Sequence, residues 1–65
     1  MEDKIERRRL MDVADAAQYL TVSEHFVRRL IRERRVTFIK VGRHVRFDLA
    51  DLGAFILQGR REAHT

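Results

Sequence analysis

TVSEHFVRRLIRERRV, residues 21–36, holds five arginines and four large apolar residues, Phe26, Val27, Leu30 and Ile31, at helical spacing. At about 100° per residue, with His25 at zero, Phe26, Leu30, Val27 and Ile31 project near 100°, 140°, 200° and 240°. Arg29, Arg32 and Arg28 project near 40°, 340° and 300°, to about the same precision. The apolar arc and the arc of His25, Arg28, Arg29 and Arg32 therefore stand back to back. Ser23 is a good N-cap for this helix. Only Glu24–Arg28 and Arg29–Glu33 have the i,i+4 spacing that would neutralise charge within the helix. Arg32 has no such partner. One face is built for a core and the other for something negative.

On the N-terminal side, Asp12 is a helix cap, with Asp15 three residues on in a variant of the capping box. Val13, Ala16, Ala17 and Leu20 follow at i, i+3, i+4 and i+7, which predicts a helix over 13–20. Its alanines make a flat stripe against which another helix approaches closely. Thr21-Val22 leaves room only for a tight corner. Leu10 and Met11 open the ordered part as a short extended segment packed on the core. The highly charged MEDKIERRR of residues 1–9 reads as a frayed arm.

On the C-terminal side the period changes from helical to alternating. Phe38 to Val41 and His44 to Phe47, around Gly42-Arg43, read as a β-hairpin. The apolar pattern favours a three-residue loop, Gly42-Arg43-His44, which pairs Val41 with Val45 and Ile39 with Phe47. That register sets Lys40 opposite Arg46, a like-charge pair that an anion lying across them would relieve. Asp48 then caps a third helix, with Asp51 in the capping-box position. Leu49, Leu52, Phe55 and Ile56 form its inner stripe, and Gly59 is a natural stop. Gly53 inside this helix costs about 1 kcal/mol relative to alanine, a cost that close packing against another backbone would justify. The ordered domain spans 10–59, followed by a loose tail over 60–65.

Composition narrows the function. A chain of 65 residues supports one domain. It has no cysteine, hence no disulfide or thiolate chemistry, and its histidines at 25, 44 and 64 are too scattered for a metal site. No metal and no cofactor are expected. No apolar run approaches the roughly 18 residues that span a bilayer, and there is no secretory h-region. These point to the cytoplasm. The formal charge is +4, but residues 28–46 alone hold eight basic residues against one acid, Glu33, a local charge of +7. Twelve of the fourteen basic residues are arginine, whose planar fork suits phosphate and guanine edges. A membrane-surface helix would want tryptophan or leucines at its apolar edge. An enzyme would want paired carboxylates or a nucleophile with a base, and neither is present. RNA binding would want an aromatic stacking surface, but Phe26, Phe38, Phe47 and Phe55 are all assigned to the core.

The order of elements is helix, tight turn, helix, basic hairpin, helix. This is a mainly α fold with a small β-hairpin, a winged helix-turn-helix, whose second helix enters a DNA major groove while the hairpin lies along the backbone as a wing. The candidate contacts with double-stranded DNA are Ser23, His25, Arg28, Arg29 and Arg32 on the helix and Lys40, Gly42, Arg43, His44 and Arg46 on the wing. His25 and His44 are nearly as well explained as ordinary polar surface residues, and Gly42 is first of all a turn residue.

The run from Asp12 to Ile56 resembles the small winged-helix excisionases, MerR-like helix-turn-helix proteins of phages and integrative elements. Ala16, Ala17, Leu20, Val22, Ser23, Val27, Leu30, Ile31, Val41, Gly42, Arg46, Phe47, Leu52, Phe55 and Ile56 carry the resemblance, which covers about residues 10–57. Two positions depart from the pattern. Arg34 stands where the family usually has the glycine that leaves the recognition helix, and Phe26 where it often has a smaller residue. The resemblance implies a DNA-binding protein without catalytic activity, which binds repeated sites beside an attachment site, bends the DNA and directs a partner integrase toward excision. The sequence shows no coiled-coil heptads, so the expected state is a monomer in solution that assembles side by side on DNA. The same fold serves small transcription regulators of phages and mobile elements. As a complete short chain without an appended effector or dimerisation domain, the sequence favours the first role over the second.

Overall fold

The computed structural model describes residues 10–61. The elements run β1 (Leu10–Met11), α1 (Val13–Leu20), α2 (Glu24–Arg32), β2 (Ile39–Val41), β3 (His44–Asp48) and α3 (Leu49–Gln58). Three helices pack with a small antiparallel sheet of order β1-β3-β2, a winged helix-turn-helix. The frayed arm expected at 1–9 and the end of the tail, 62–65 with His64, lie outside the described residues.

The helix starts follow the caps legible in the sequence. The Asp12 side chain accepts from the Asp15 N–H at 2.8 Å, Ser23 Oγ from the Phe26 N–H at 3.0 Å, and Asp48 from the Ala50 N–H at 2.9 Å. Each satisfies one of the orphan donors of a first helical turn. Both helices of the helix-turn-helix then close by the same device. At the end of α1, Val22 N–H donates to Ala17 O at 3.0 Å and Thr21 N–H to Gln18 O at 3.2 Å, with Thr21 at φ 57°. At the end of α2, Arg35 N–H donates to Leu30 O at 2.9 Å and Arg34 N–H to Ile31 O at 3.1 Å, with Arg34 at φ 55°. These are Schellman closures, which need one left-handed residue and usually place glycine there. Arg34 adopts the glycine conformation without being glycine, at about 1–2 kcal/mol of backbone strain. So α2 ends where a glycine would have ended it.

The core is one cluster of Ala16 and Ala17 from α1, Val27 and Leu30 from α2, Val36 from the following loop, Phe47 from β3 and Leu52 from α3. Met11, Val13, Leu20, Val22, Ile31, Phe38, Val45 and Phe55 pack around it, partly buried. Phe47 and Leu52 have no exposed surface at all. Val36 had no periodic signal in the sequence, since it is buried by the loop's path and not by a helix or strand face.

Three expectations are corrected. The hairpin register is Ile39↔Arg46, Lys40↔Val45 and Val41↔His44, which makes Gly42-Arg43 a two-residue turn. A positive φ at Gly42 and none at Arg43 is the signature of a type II′ turn. The apolar-matching argument fails because burial under the sheet ends at Val45. Val41 is 49% exposed, so pairing it with Val45 would bury nothing, and turn geometry sets the register instead. Lys40 and Arg46 consequently lie on opposite faces of the hairpin, and no like-charge pair forms. Second, Ile56 is outside the inner stripe of α3, at 47% exposure, because from Ile56 through 61 every residue is exposed and the helix runs past the core. Third, Phe26 is 37% exposed and not part of the core. It stands at the edge of the apolar arc of α2, on the side next to Arg29. The sheet also gains a strand that the sequence presented only as an extended segment, through the pairings Leu10↔Asp48 and Met11↔Phe47.

Gly53 has no close neighbour: a Cβ built on it meets nothing within 4 Å. Close packing therefore does not account for it, and the structure offers no other reason. Gly53→Ala should stabilise the domain by about 1 kcal/mol, which for a chain of this size raises the thermal midpoint by roughly 4–8 °C. Calorimetry of the two proteins checks it.

Candidate nucleic-acid interface

The first turn of α2 is exposed on the side away from α1. Ser23, His25, Arg28, Arg29 and Arg32 are all exposed, as the sequence pattern requires. Ser23 is committed as an acceptor to the Phe26 N–H, which leaves its own O–H as a donor. Two of the three arginines are tethered by ion pairs. Arg28 Nη2 lies 3.4 Å from Glu24 Oε1, and Arg29 Nε 3.4 Å from Glu33 Oε2. Glu33 also reaches Arg35 at 3.5 Å. All of these side chains are about half exposed, so each pair contributes at most about 0.3–0.5 kcal/mol and gives way readily to a better anion. No ion pair is found for Arg32 among the described residues.

On the hairpin, Lys40, Gly42, Arg43 and His44 are exposed, whereas Arg46 is half-buried. The Arg46 guanidinium bends back so that Nη1 donates to Val45 O at 2.8 Å. The positive φ of 64° at Gly42 turns the tip tightly, and nothing approaches the site of its missing side chain.

The hairpin and α2 face each other across an open groove of about 390 Å³. Arg28 and Glu24 line one wall, Arg43, His44 and Arg46 the other, and the start of α1, residues 12–14, closes the end. Four of the expected interface residues thus meet in one place, although 15 or more residues separate Arg28 from the wing in sequence. His25, Arg29 and Arg32 continue along the exposed arc of α2 outside this groove. Lys40 projects from the other face of the hairpin and does not join them. Two residues were not anticipated here: Glu24, which with Asp12 brings a carboxylate into the groove, and Phe26, exposed on the same first turn. The i,i+4 spacing to Arg28 was the signal for the first, and nothing in the pattern distinguished Phe26 from the core residues beside it.

No group of three or more metal-ligating side chains occurs among the described residues, and none of their helices is long and apolar enough to cross a membrane. Recesses of about 480 and 590 Å³ along α3 are open and lined by arginines and the exposed end of that helix.

A fold of this kind, with a cationic second helix and a basic wing, defines a DNA-binding helix-turn-helix domain. The chain belongs to the helix-turn-helix domain family, whose sequence model matches residues 10–60. That match takes in every described element. Domains of this family are typically non-enzymatic. None of the curated proteins compared with the chain matches it.

Ser23 holds the first turn of α2 in place, so its loss should be felt in folding before anything else. Ser23→Ala should cost about 1 kcal/mol of stability, measured by urea unfolding. A cost near zero would mean that packing alone fixes the start of the helix.

Proposed function

We propose that this protein is an excisionase-type accessory factor of the MerR-like group. It binds double-stranded DNA at tandem sites beside an attachment site, bends it, and biases a partner integrase toward excision. α2 lies in the major groove, with His25, Arg28, Arg29 and Arg32 at the base edges and Ser23 at the flanking phosphate. The wing, through Gly42, Arg43, His44 and Arg46, follows the neighbouring backbone, with Lys40 on the opposite face of the hairpin. The observation that carries the DNA reading is the exposed cationic arc of α2 set beside the basic hairpin, with Arg28 facing Arg43, His44 and Arg46 across one groove. The recombination role is supported by the resemblance across residues 10–57. A protein with this role works in the cytoplasm, on the element's own DNA.

A single small module covers about 600–1,000 Å² of protein surface on DNA, so useful occupancy requires neighbours side by side on adjacent sites. Footprinting across an attachment region tests the proposal. Regularly spaced tandem protection, filling cooperatively and tighter per site than an isolated site, is the expected result. Protection of one isolated site at a promoter would assign the chain to transcription control instead.

Two substitutions separate reading from holding. Arginine to guanine is the commonest specific base contact, and of the three arginines on the exposed arc of α2 Arg32 has no ion pair among the described residues. Arg32→Ala should cost about 1–3 kcal/mol on the specific site and relax preference at one position. Arg43→Ala should weaken specific and random DNA by similar factors and flatten the slope of log K against log salt by about 0.9. An unchanged salt slope with unchanged affinity would show the hairpin standing clear of the DNA.

A further inference from the structure

The exposed Phe26 stands at the edge of the apolar arc of α2, between Leu30 on one side and Arg29 on the other. It is the third residue of α2, and its N–H is fixed by the bond to Ser23 Oγ at 3.0 Å. Long helical side chains lean back toward the N-terminus of their helix, which directs the ring toward the start of α2 on the side of Ser23. Around the helix it sits about 60° from Arg29 and about 100° from His25. It is outside the core cluster and 37% exposed, so about a third of its surface remains open to a partner.

We infer that Phe26 is a specificity-determining residue that reads the C5 methyl group of a thymine in the major groove. This rests on the DNA-binding reading above and assigns one residue's task within it. The N-terminal residues of a recognition helix are the ones that reach base edges. In the major groove the thymine methyl is the apolar feature that distinguishes one base pair from the others, and phenylalanine is among the side chains that contact it. A ring beside Arg29 is carried to the bases by the contacts of the cationic arc, whereas alone it would not enter a wet groove. Burying one methyl-sized group is worth about 0.8 kcal/mol, which is about a fourfold change in affinity.

The experiment perturbs the DNA before the protein. A duplex enriched by the wild-type protein from a random library is synthesised twice, with thymine and with deoxyuridine at each thymine position in turn. Binding is measured for the wild type and for Phe26→Ala. The wild type is expected to lose about fourfold at one position, while Phe26→Ala binds both duplexes equally. Circular dichroism confirms that the variant is folded, and the deoxyuridine arm on the wild type requires no variant at all. Equal binding of both duplexes by the wild type overturns the inference, as does an undiminished loss in Phe26→Ala or an enriched sequence with no fixed thymine. In those three outcomes the DNA-binding reading survives. Failure of the wild type to enrich any duplex overturns both.

Discussion

The close approach of α1 to α2 is the constraint on which the rest of this domain depends. Ala16 and Ala17 present almost no side chain, and with Val27 and Leu30 they are buried to 4% exposure or less. Small residues let two helices approach at short range, and large ones at these positions would push them apart. The corner between the helices leaves little freedom: Thr21 takes the left-handed conformation, and Val22 both closes the Schellman bonds and packs on the core. With the inner face of α2 committed in this way, its cationic arc has nowhere to go but outward.

A domain of 65 residues has little stability to spare, yet this one carries several features that lower it. Two non-glycine residues are held in left-handed backbone, a glycine sits unsupported in α3, and Phe26, Ile56 and Leu57 leave much of their apolar surface in water. The charged face adds repulsion between neighbouring arginines, relieved in part by Glu24 and Glu33. A bound polyanion would relieve the remainder, coupling occupancy of the groove to stability. The ion pairs have a second consequence. They hold Arg28 and Arg29 along the helix in the absence of an anion, and they are weak enough to be exchanged for one.

The helices and their caps were legible in the sequence because they are local. Asp12, Ser23 and Asp48 each act within three residues, and the apolar spacings of α1 and α2 repeat over one or two turns. The arc of His25, Arg28, Arg29 and Arg32 follows from the same 3.6-residue period. What failed were statements requiring knowledge of where the core stops. Val41, Phe26 and Ile56 have the right periodicity for burial, but each lies beyond the edge of what its partners cover. The hairpin register was misread for that reason: apolar matching decides pairing only where a face is buried, and at this tip the turn decides it.

The sequence by itself determined three capped helices, a basic hairpin with a glycine turn, and a cationic face on the second helix, since each is set by short-range sterics and hydrogen bonding. Only the tertiary structure decided that Arg28 meets Arg43, His44 and Arg46 across one groove while Lys40 turns away from it, and that Phe26 stands outside the core. Those outcomes depend on strand register and on the extent of the buried surface. Both are properties of how the elements pack on one another, and no single stretch of the chain encodes them.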